Sequence, residues 1–216
     1  LFPLPEEPFS IVGVLFHSSF GRRVTEADIQ LLTAARLPHL EEVGIRFEPM
    51  NVEWLEAIHS AYPNLQRLPF YANDAHFNVL RKFKRVEHLT INSKSEGWYP
   101  LIDELQALSD VTVAHTSLKE CESLAALPNL ELLILNGTID VARLKALAKS
   151  KNLVSLKLGN NHIWQETDAG FAELAKMKNL ERLNISSAPL SEGIDIFGFG
   201  VLRTANLSIH TSISPM

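Results

Sequence analysis

A short apolar phrase recurs along this 216-residue chain, and its spacing constrains the fold more than any other feature. In the segment from Pro128 to Thr138 the phrase reads Leu130-x-x-Leu133-x-Leu135-x-x-Thr138. Apolar residues two positions apart are typical of a strand with one buried face, so the phrase predicts a short strand that turns at its end. The copies begin at Ile11, Leu40, Leu65, Val86, Leu108, Leu130, Leu153, Leu180 and Thr204.

A segment with helical spacing follows each of the first seven strand phrases. In one of them Val141, Leu144, Leu147 and Ala148 fall on a single helical face. Thr25 before Asp28 is typical of a helix N-cap with an acid in the first turn. The predicted helices are Val24–Ala35, Val52–Tyr62, Phe77–Phe83, Leu101–Leu108, Leu118–Leu127, Val141–Ala148 and Ala169–Met177.

Strand and helix alternate at a regular period, which predicts a repeat architecture. The intervals between phrases run from 21 residues (Leu65 to Val86) to 29 residues (Ile11 to Leu40), the period of leucine-rich repeats. We therefore predict an α/β leucine-rich repeat solenoid (a horseshoe) of about nine strand-helix units between residues 11 and 212. Its parallel sheet is expected on the concave face and its helices on the convex face.

Two segments also resemble a known family. The segment 167–186, TDAGFAELAKMKNLERLNIS, resembles one unit of the bacterial leucine-rich repeat proteins of the ribonuclease-inhibitor-like type. The segment 25–32, which leads into residues 37–43, is similar to it. The resemblance implies the solenoid fold over nearly the whole chain and says little about function, because core residues define the family. The consensus asparagine at the strand end is present at Asn73 and Asn161, and other residues replace it elsewhere.

The whole chain, residues 1–216, is predicted to form a single domain with two irregular ends. Residues 1–10 contain Pro3, Pro5 and Pro8 and are expected to cap the first strand. Residues 190–216 form an irregular C-terminal end, in which residues 190–200 are rich in glycine and one weak strand follows. An end-to-end dimer through this end is one expectation. Because the chain begins with Leu1, we expect a processed form or a piece of a longer protein.

Composition and motifs argue against several functional classes. The net charge of −5 is unfavourable for nucleic-acid binding, and no apolar segment approaches the roughly 20 residues of a membrane span. The single cysteine, Cys121, is interpreted as a core residue. The sequence lacks metal-ligand spacings, a Gly-x-Ser-x-Gly motif, a phosphate loop and a dinucleotide fingerprint. We therefore predict no cofactor, no metal and no catalytic activity.

Residues between the motif leucines are predicted to project from the concave face. The third motif position gives Glu42, Arg67, His88, Asp110, Leu132, Ser155 and Arg182, in which Glu42–Arg67 and His88–Asp110 are complementary neighbours. These pairs are consistent either with simple cross-strand pairing or with a polar recognition stripe. His88 and Asp110 near Thr90 or Thr112 could also mimic a nucleophile arrangement, which exposed strands often do by chance. The candidate binding residues are Arg46, Phe47, Arg67, Tyr71, His88, Asn92, His115 and Asn136.

The sequence favours a protein-protein interaction module that binds a partner on the concave face. One alternative is the sensor or targeting domain of a larger membrane-anchored or enzyme-containing protein. Another is a carbohydrate-binding module, which outward Asn, His, Tyr and Trp side chains would suit. The sequence leaves open whether the protein works in the cytoplasm or after export.

Overall fold

The computed structural model of the chain describes residues 10–17, 23–46, 50–91, 98–114, 116–137, 139–159, 167–186 and 203–208. In these ranges, nine strands form one parallel sheet in chain order. They are β1 Gly13–His17, β2 Glu42–Arg46, β3 Arg67–Ala72, β4 His88–Ile91, β5 Asp110–Val113, β6 Leu132–Asn136, β7 Ser155–Gly159, β8 Arg182–Ser186 and β9 Thr204–Ser208. The helices are α1 Glu26–Ala35, α2 Val52–Ala61, α3 Phe77–Leu80, α4 Tyr99–Ile102, α5 Leu118–Ala126, α6 Val141–Leu147 and α7 Thr167–Leu174.

Equivalent residues of the repeats lie side by side in the sheet. Strand pairing places Arg67 next to His88, His88 next to Asp110, and Asp110 next to Leu132. At the start of β6, the backbone N–H groups of Glu131 and Leu132 both donate to the Ser109 carbonyl at 2.9 Å. The same arrangement recurs from strand to strand. The predicted parallel order is therefore confirmed, as are the predicted neighbours Glu42–Arg67 and His88–Asp110.

The motif leucines form the core between the sheet and the helices. Leu130, Leu133 and Leu135 are at most 2 % exposed, and the same holds for Leu55 and Ile58 on the inner face of α2. Burial of these side chains removes apolar surface from water, which is the main stabilising contribution. No helix in the described ranges is long and apolar enough to span a bilayer.

Two helices are much shorter than the sequence predicts, whereas the other five differ from the predicted bounds by at most three residues at either end. The predicted helix Leu101–Leu108 is only Tyr99–Ile102, although Leu105 and Leu108 still reach the core through turns. After Ile102 the backbone continues in turns, in which the Glu104 and Leu105 N–H groups donate to carbonyls three residues earlier. The predicted Phe77–Phe83 is likewise shortened to α3. By contrast, the capping box of Thr25 and Asp28 at α1 is confirmed.

An irregularity in β3 was not predicted. Leu68 lies opposite Leu89, but Thr90 lies opposite Tyr71, so Pro69 and Phe70 are extra residues in this strand. Phe70 is buried and meets the ring of buried His76 edge-on, with centroids 5.4 Å apart. The bulge therefore adds an aromatic contact to the core of this repeat.

An asparagine ladder follows the edge of the sheet where the strands begin. The side-chain amide of Asn129 donates to the Gln106 carbonyl at 3.0 Å, and that of Asn152 donates to the Pro128 carbonyl. Asn179 donates in the same way to Lys151. Each of these asparagines directly precedes the first motif leucine. The consensus strand-end asparagine Asn73 instead accepts a hydrogen bond from the Ala75 N–H and caps a 3₁₀ turn.

Candidate functional site

The face of the sheet opposite the helices is called the concave face here, and its side chains are partly open to solvent. In β6 the outward residues Leu132, Ile134 and Asn136 are half-buried, while Leu133 and Leu135 between them are fully buried. β4 and β5 alternate in the same way. The second face of a parallel sheet is usually covered by helices, so an accessible one is a candidate binding surface.

A polar row crosses the first half of this face on β2 to β5. The guanidinium Nε of Arg67 donates to Glu42 Oε2 at 2.8 Å, and His88 Nδ1 lies 2.8 Å from Asp110 Oδ2. Both predicted cross-strand pairs are therefore confirmed. The Arg67 side chain remains 45 % exposed, so this pair contributes little to stability, about 0–1 kcal/mol. Its guanidinium keeps donors that are available to a partner.

Asp110 is only partly satisfied by its neighbours. Its Oδ2 atom is hydrogen bonded to His88 Nδ1. Its Oδ1 atom is buried and has no hydrogen-bond donor among the described residues. An ionised carboxylate offers about four acceptor positions, and a buried oxygen without a donor raises the free energy of the folded state. The Asp110 side chain is 26 % exposed, so a positively charged group from outside can approach it.

An aliphatic patch lies beside Asp110 in the middle of the face. It consists of Leu132 and Ile134 on β6. Its neighbours on β5 and β7 include the short side chains of Thr112 and Ser155, which are half-buried. The sequence prediction included Leu132 among the outward residues but did not consider the fifth motif position, which holds Ile134. The same periodicity could have identified it.

The structure describes the side chains of some of the other candidate residues and not of the rest. Arg67 and His88 are brought together as direct register neighbours. Arg46 ends β2 and Tyr71 lies in β3, but the side chains of both lie outside the described part of the structure. Three further candidates lie wholly outside the described ranges: Phe47, Asn92 and His115. Asn136 ends β6 opposite Gly159 and lies two strands from His88. A Cβ atom at Gly159 would lie 2.5 Å from Asn136 Oδ1, so the missing side chain makes room for the amide.

The described ranges also contain residue types that elsewhere bind metals, activate hydroxyl groups or contact ligands. Among the described residues, no group of three or more His, Cys, Asp and Glu side chains is arranged to hold a metal. In the same ranges, His88 hydrogen bonds to Asp110 and to neither Thr90 nor Thr112. Trp98 is 1 % exposed and packs at the start of α4, which agrees with a sealing role rather than ligand contact.

The parallel sheet in chain order, the buried motif leucines and the helices on one side define a leucine-rich repeat solenoid. The structure is similar to the crystal structure of an internalin (inlF) from Listeria monocytogenes, with a TM-score of 0.55 and 20 % sequence identity. The similarity covers 82 % of this chain and 51 % of the internalin chain, so this chain spans about half the length of that protein. At this identity the similarity establishes the fold alone. No family model matches the chain, and no curated protein matches it.

Proposed function

We propose that this protein is an interaction module that binds a protein partner on its concave face. The observation that supports the proposal is the row of partly exposed polar and aliphatic side chains on a parallel sheet whose strands are paired in chain order from β1 to β9. Because hydrogen bonds hold these strands in place, binding would order little additional backbone. A preformed surface of this kind lowers the entropic cost of association.

The proposed contact residues are the eight named from the sequence: Arg46, Phe47, Arg67, Tyr71, His88, Asn92, His115 and Asn136. Arginine and tyrosine are enriched at interface hot spots, and Arg67 and His88 form a continuous polar row. We also propose that the repeats are of the ribonuclease-inhibitor-like type, given the helices of up to ten residues that follow the strands.

The test is affinity capture from the source organism with matched variants. The full chain, an Arg46→Ala/Tyr71→Ala variant and a Leu31→Gln control are immobilised, and captured proteins are identified by mass spectrometry. Leu31 is 73 % exposed on α1, away from the concave face, so its replacement leaves that face unchanged. We expect the control to retain the proteins that the double variant loses.

Equal capture by all three chains would reject the proposal. A glycan array run with the same proteins distinguishes the carbohydrate-binding alternative. Glycan binding that the double variant loses, without any captured protein, would favour that alternative.

A further inference from the structure

We infer that the strongest contact on the concave face is formed by Asp110, Leu132 and Ile134, and that the partner surface places Arg or Lys beside a large apolar side chain. The inference rests on the proposed function and specifies the chemistry of the partner. It places the main contact on β5 and β6, whereas four of the eight candidates from the sequence analysis lie on or directly after β2 and β3.

The aliphatic patch provides the apolar half of the contact. Among the described outward positions of β2 to β9, Leu132 and Ile134 are the branched aliphatic residues, and they stand two apart on the same strand. Thr112 and Ser155 beside them are short, so an incoming side chain can reach the patch from above. Central apolar groups surrounded by polar residues are typical of hot spots.

Asp110 provides the charged half. Among the described residues its ion-pair partner is His88, which lies 2.8 Å from Oδ2, and Oδ1 has no hydrogen-bond donor there. The nearest arginine along this row, Arg67, is paired with Glu42. Because Oδ1 is buried, a guanidinium or ammonium group from a partner would pair with the carboxylate charge from the exposed side of Asp110, beside the hydrogen bond with His88.

Positive charge lies on the other side of the patch. Lys157 on β7 and Arg182 on β8 are exposed, and neither forms an ion pair with another described residue. From β5 to β8 the outward side chains are thus negative at Asp110, then aliphatic on β6, and then positive at Lys157 and Arg182. A complementary partner presents a cation, an apolar group and an anion in this order.

Strand spacing fixes the dimensions of the partner. Neighbouring strands lie about 4.8 Å apart, so the cation and the apolar group should be about 5 Å apart. The anion should be about 10 Å from the cation if it faces Lys157 on β7, and about 14 Å if it faces Arg182 on β8. On a helix, residues i, i+4 and i+7 provide about these distances. Peptides that can form a helix are therefore suitable probes.

The experiment selects binders from a displayed library of 16-residue peptides against the immobilised full chain. The affinity of selected peptides is then measured by fluorescence anisotropy for the wild type, Asp110→Asn, Leu132→Ser and the Leu31→Gln control. Circular dichroism verifies that each variant is folded. We expect selected peptides to carry Arg or Lys three or four residues from a large apolar residue, and both concave-face variants to weaken binding about tenfold or more.

A charge exchange separates direct contact from a structural effect. Asp110→Arg should bind the same peptides poorly and should recover binding when their basic residue is replaced with Glu. Peptides that are insensitive to Asp110→Asn and Leu132→Ser would overturn the inference. If such peptides are sensitive to Arg46→Ala/Tyr71→Ala, the proposed function stands and only the inference fails. If no concave-face variant affects binding, or no peptide is recovered, both fail.

Discussion

At the scale of single residues, Cys121 shows how the core changes the chemistry of a side chain. It is fully buried on α5, and burial raises the pKa of its thiol from 9.0 to about 11, although a hydrogen bond with Thr116 acts in the opposite direction. Only the thiolate reacts readily with alkylating reagents. We therefore predict that Cys121 resists iodoacetamide at pH 8 in the folded protein and reacts when urea unfolds it. Equal labelling rates with and without urea would contradict this.

The same thiol makes stability depend on pH. Because its pKa is higher in the folded state, its contribution is fully present below pH 9 and is lost as the pH rises through 11. The loss is on the order of 2–3 kcal/mol. Urea titrations at pH 8.5 and pH 11 measure the free energy of unfolding at each pH. The same titrations of Cys121→Ala show how much of the change comes from the other titrating groups. The wild type should lose more unfolding free energy than the variant does.

His76 is a buried polar residue that joins two parts of the backbone. Its Nδ1 atom accepts from the Asn73 N–H at 3.1 Å, and its Nε2 atom lies 2.5 Å from the Met50 carbonyl. Nδ1 is therefore the acceptor and Nε2 the donor. We predict that His76→Phe, which leaves both backbone groups without this partner, costs about 2–4 kcal/mol of unfolding free energy in urea. Exposed His39→Phe is the control and should cost less than 0.5 kcal/mol, as is typical at the surface. A similar cost at both sites would refute the role assigned to His76.

At the scale of the structural element, the asparagine ladder joins successive repeats at the beginning of the strands. Asn129 and Asn152 each donate to the preceding repeat, whereas Asn64 occupies the equivalent position and forms no side-chain hydrogen bond within the described part. We predict that Asn129→Ala and Asn152→Ala each lower the free energy of unfolding by about 1 kcal/mol, and that Asn64→Ala has almost no effect. Thermal and urea unfolding of the three variants measure the difference. A loss at Asn64 equal to the other two would show that backbone propensity, and not the ladder, is responsible.

The repeat period was sufficient to predict the strands, their order and the cross-strand pairs. Side chains alternate between the two faces of a strand, and parallel stacking at equal spacing aligns Glu42 with Arg67 and His88 with Asp110. Contacts between distant residues could not be derived in this way, as for His76 and Met50, which are 26 residues apart. Pro69 in the middle of β3 is a local signal of an irregular strand, but the motif spacing alone did not reveal the two extra residues. For the candidate site, the polar row was predicted, but Ile134 was missed because the fifth motif position was not compared across repeats.

At the scale of the whole molecule, the sheet is a linear array. Each inner strand pairs with the repeat before it and the repeat after it, and the packed helix pairs are likewise neighbours in the chain, such as α5 with α6. Stability in such an array is approximately a sum of repeat terms and nearest-neighbour interface terms. A substitution is therefore expected to act most strongly on adjacent repeats.

Hydrogen exchange followed by mass spectrometry tests this expectation. β1 and β9 are the outer strands of the sheet, so we predict slower amide exchange in β5 to β7 than in either outer strand. Leu133 is fully buried at the centre of β6, and Leu133→Ala should cost about 2–5 kcal/mol. Its effect should be large in β5 and β7 and small in β1. If Leu133→Ala accelerates exchange equally in all nine strands, the array unfolds as one unit and the expectation is wrong. The interfaces between repeats would then be too strong for any repeat to open alone.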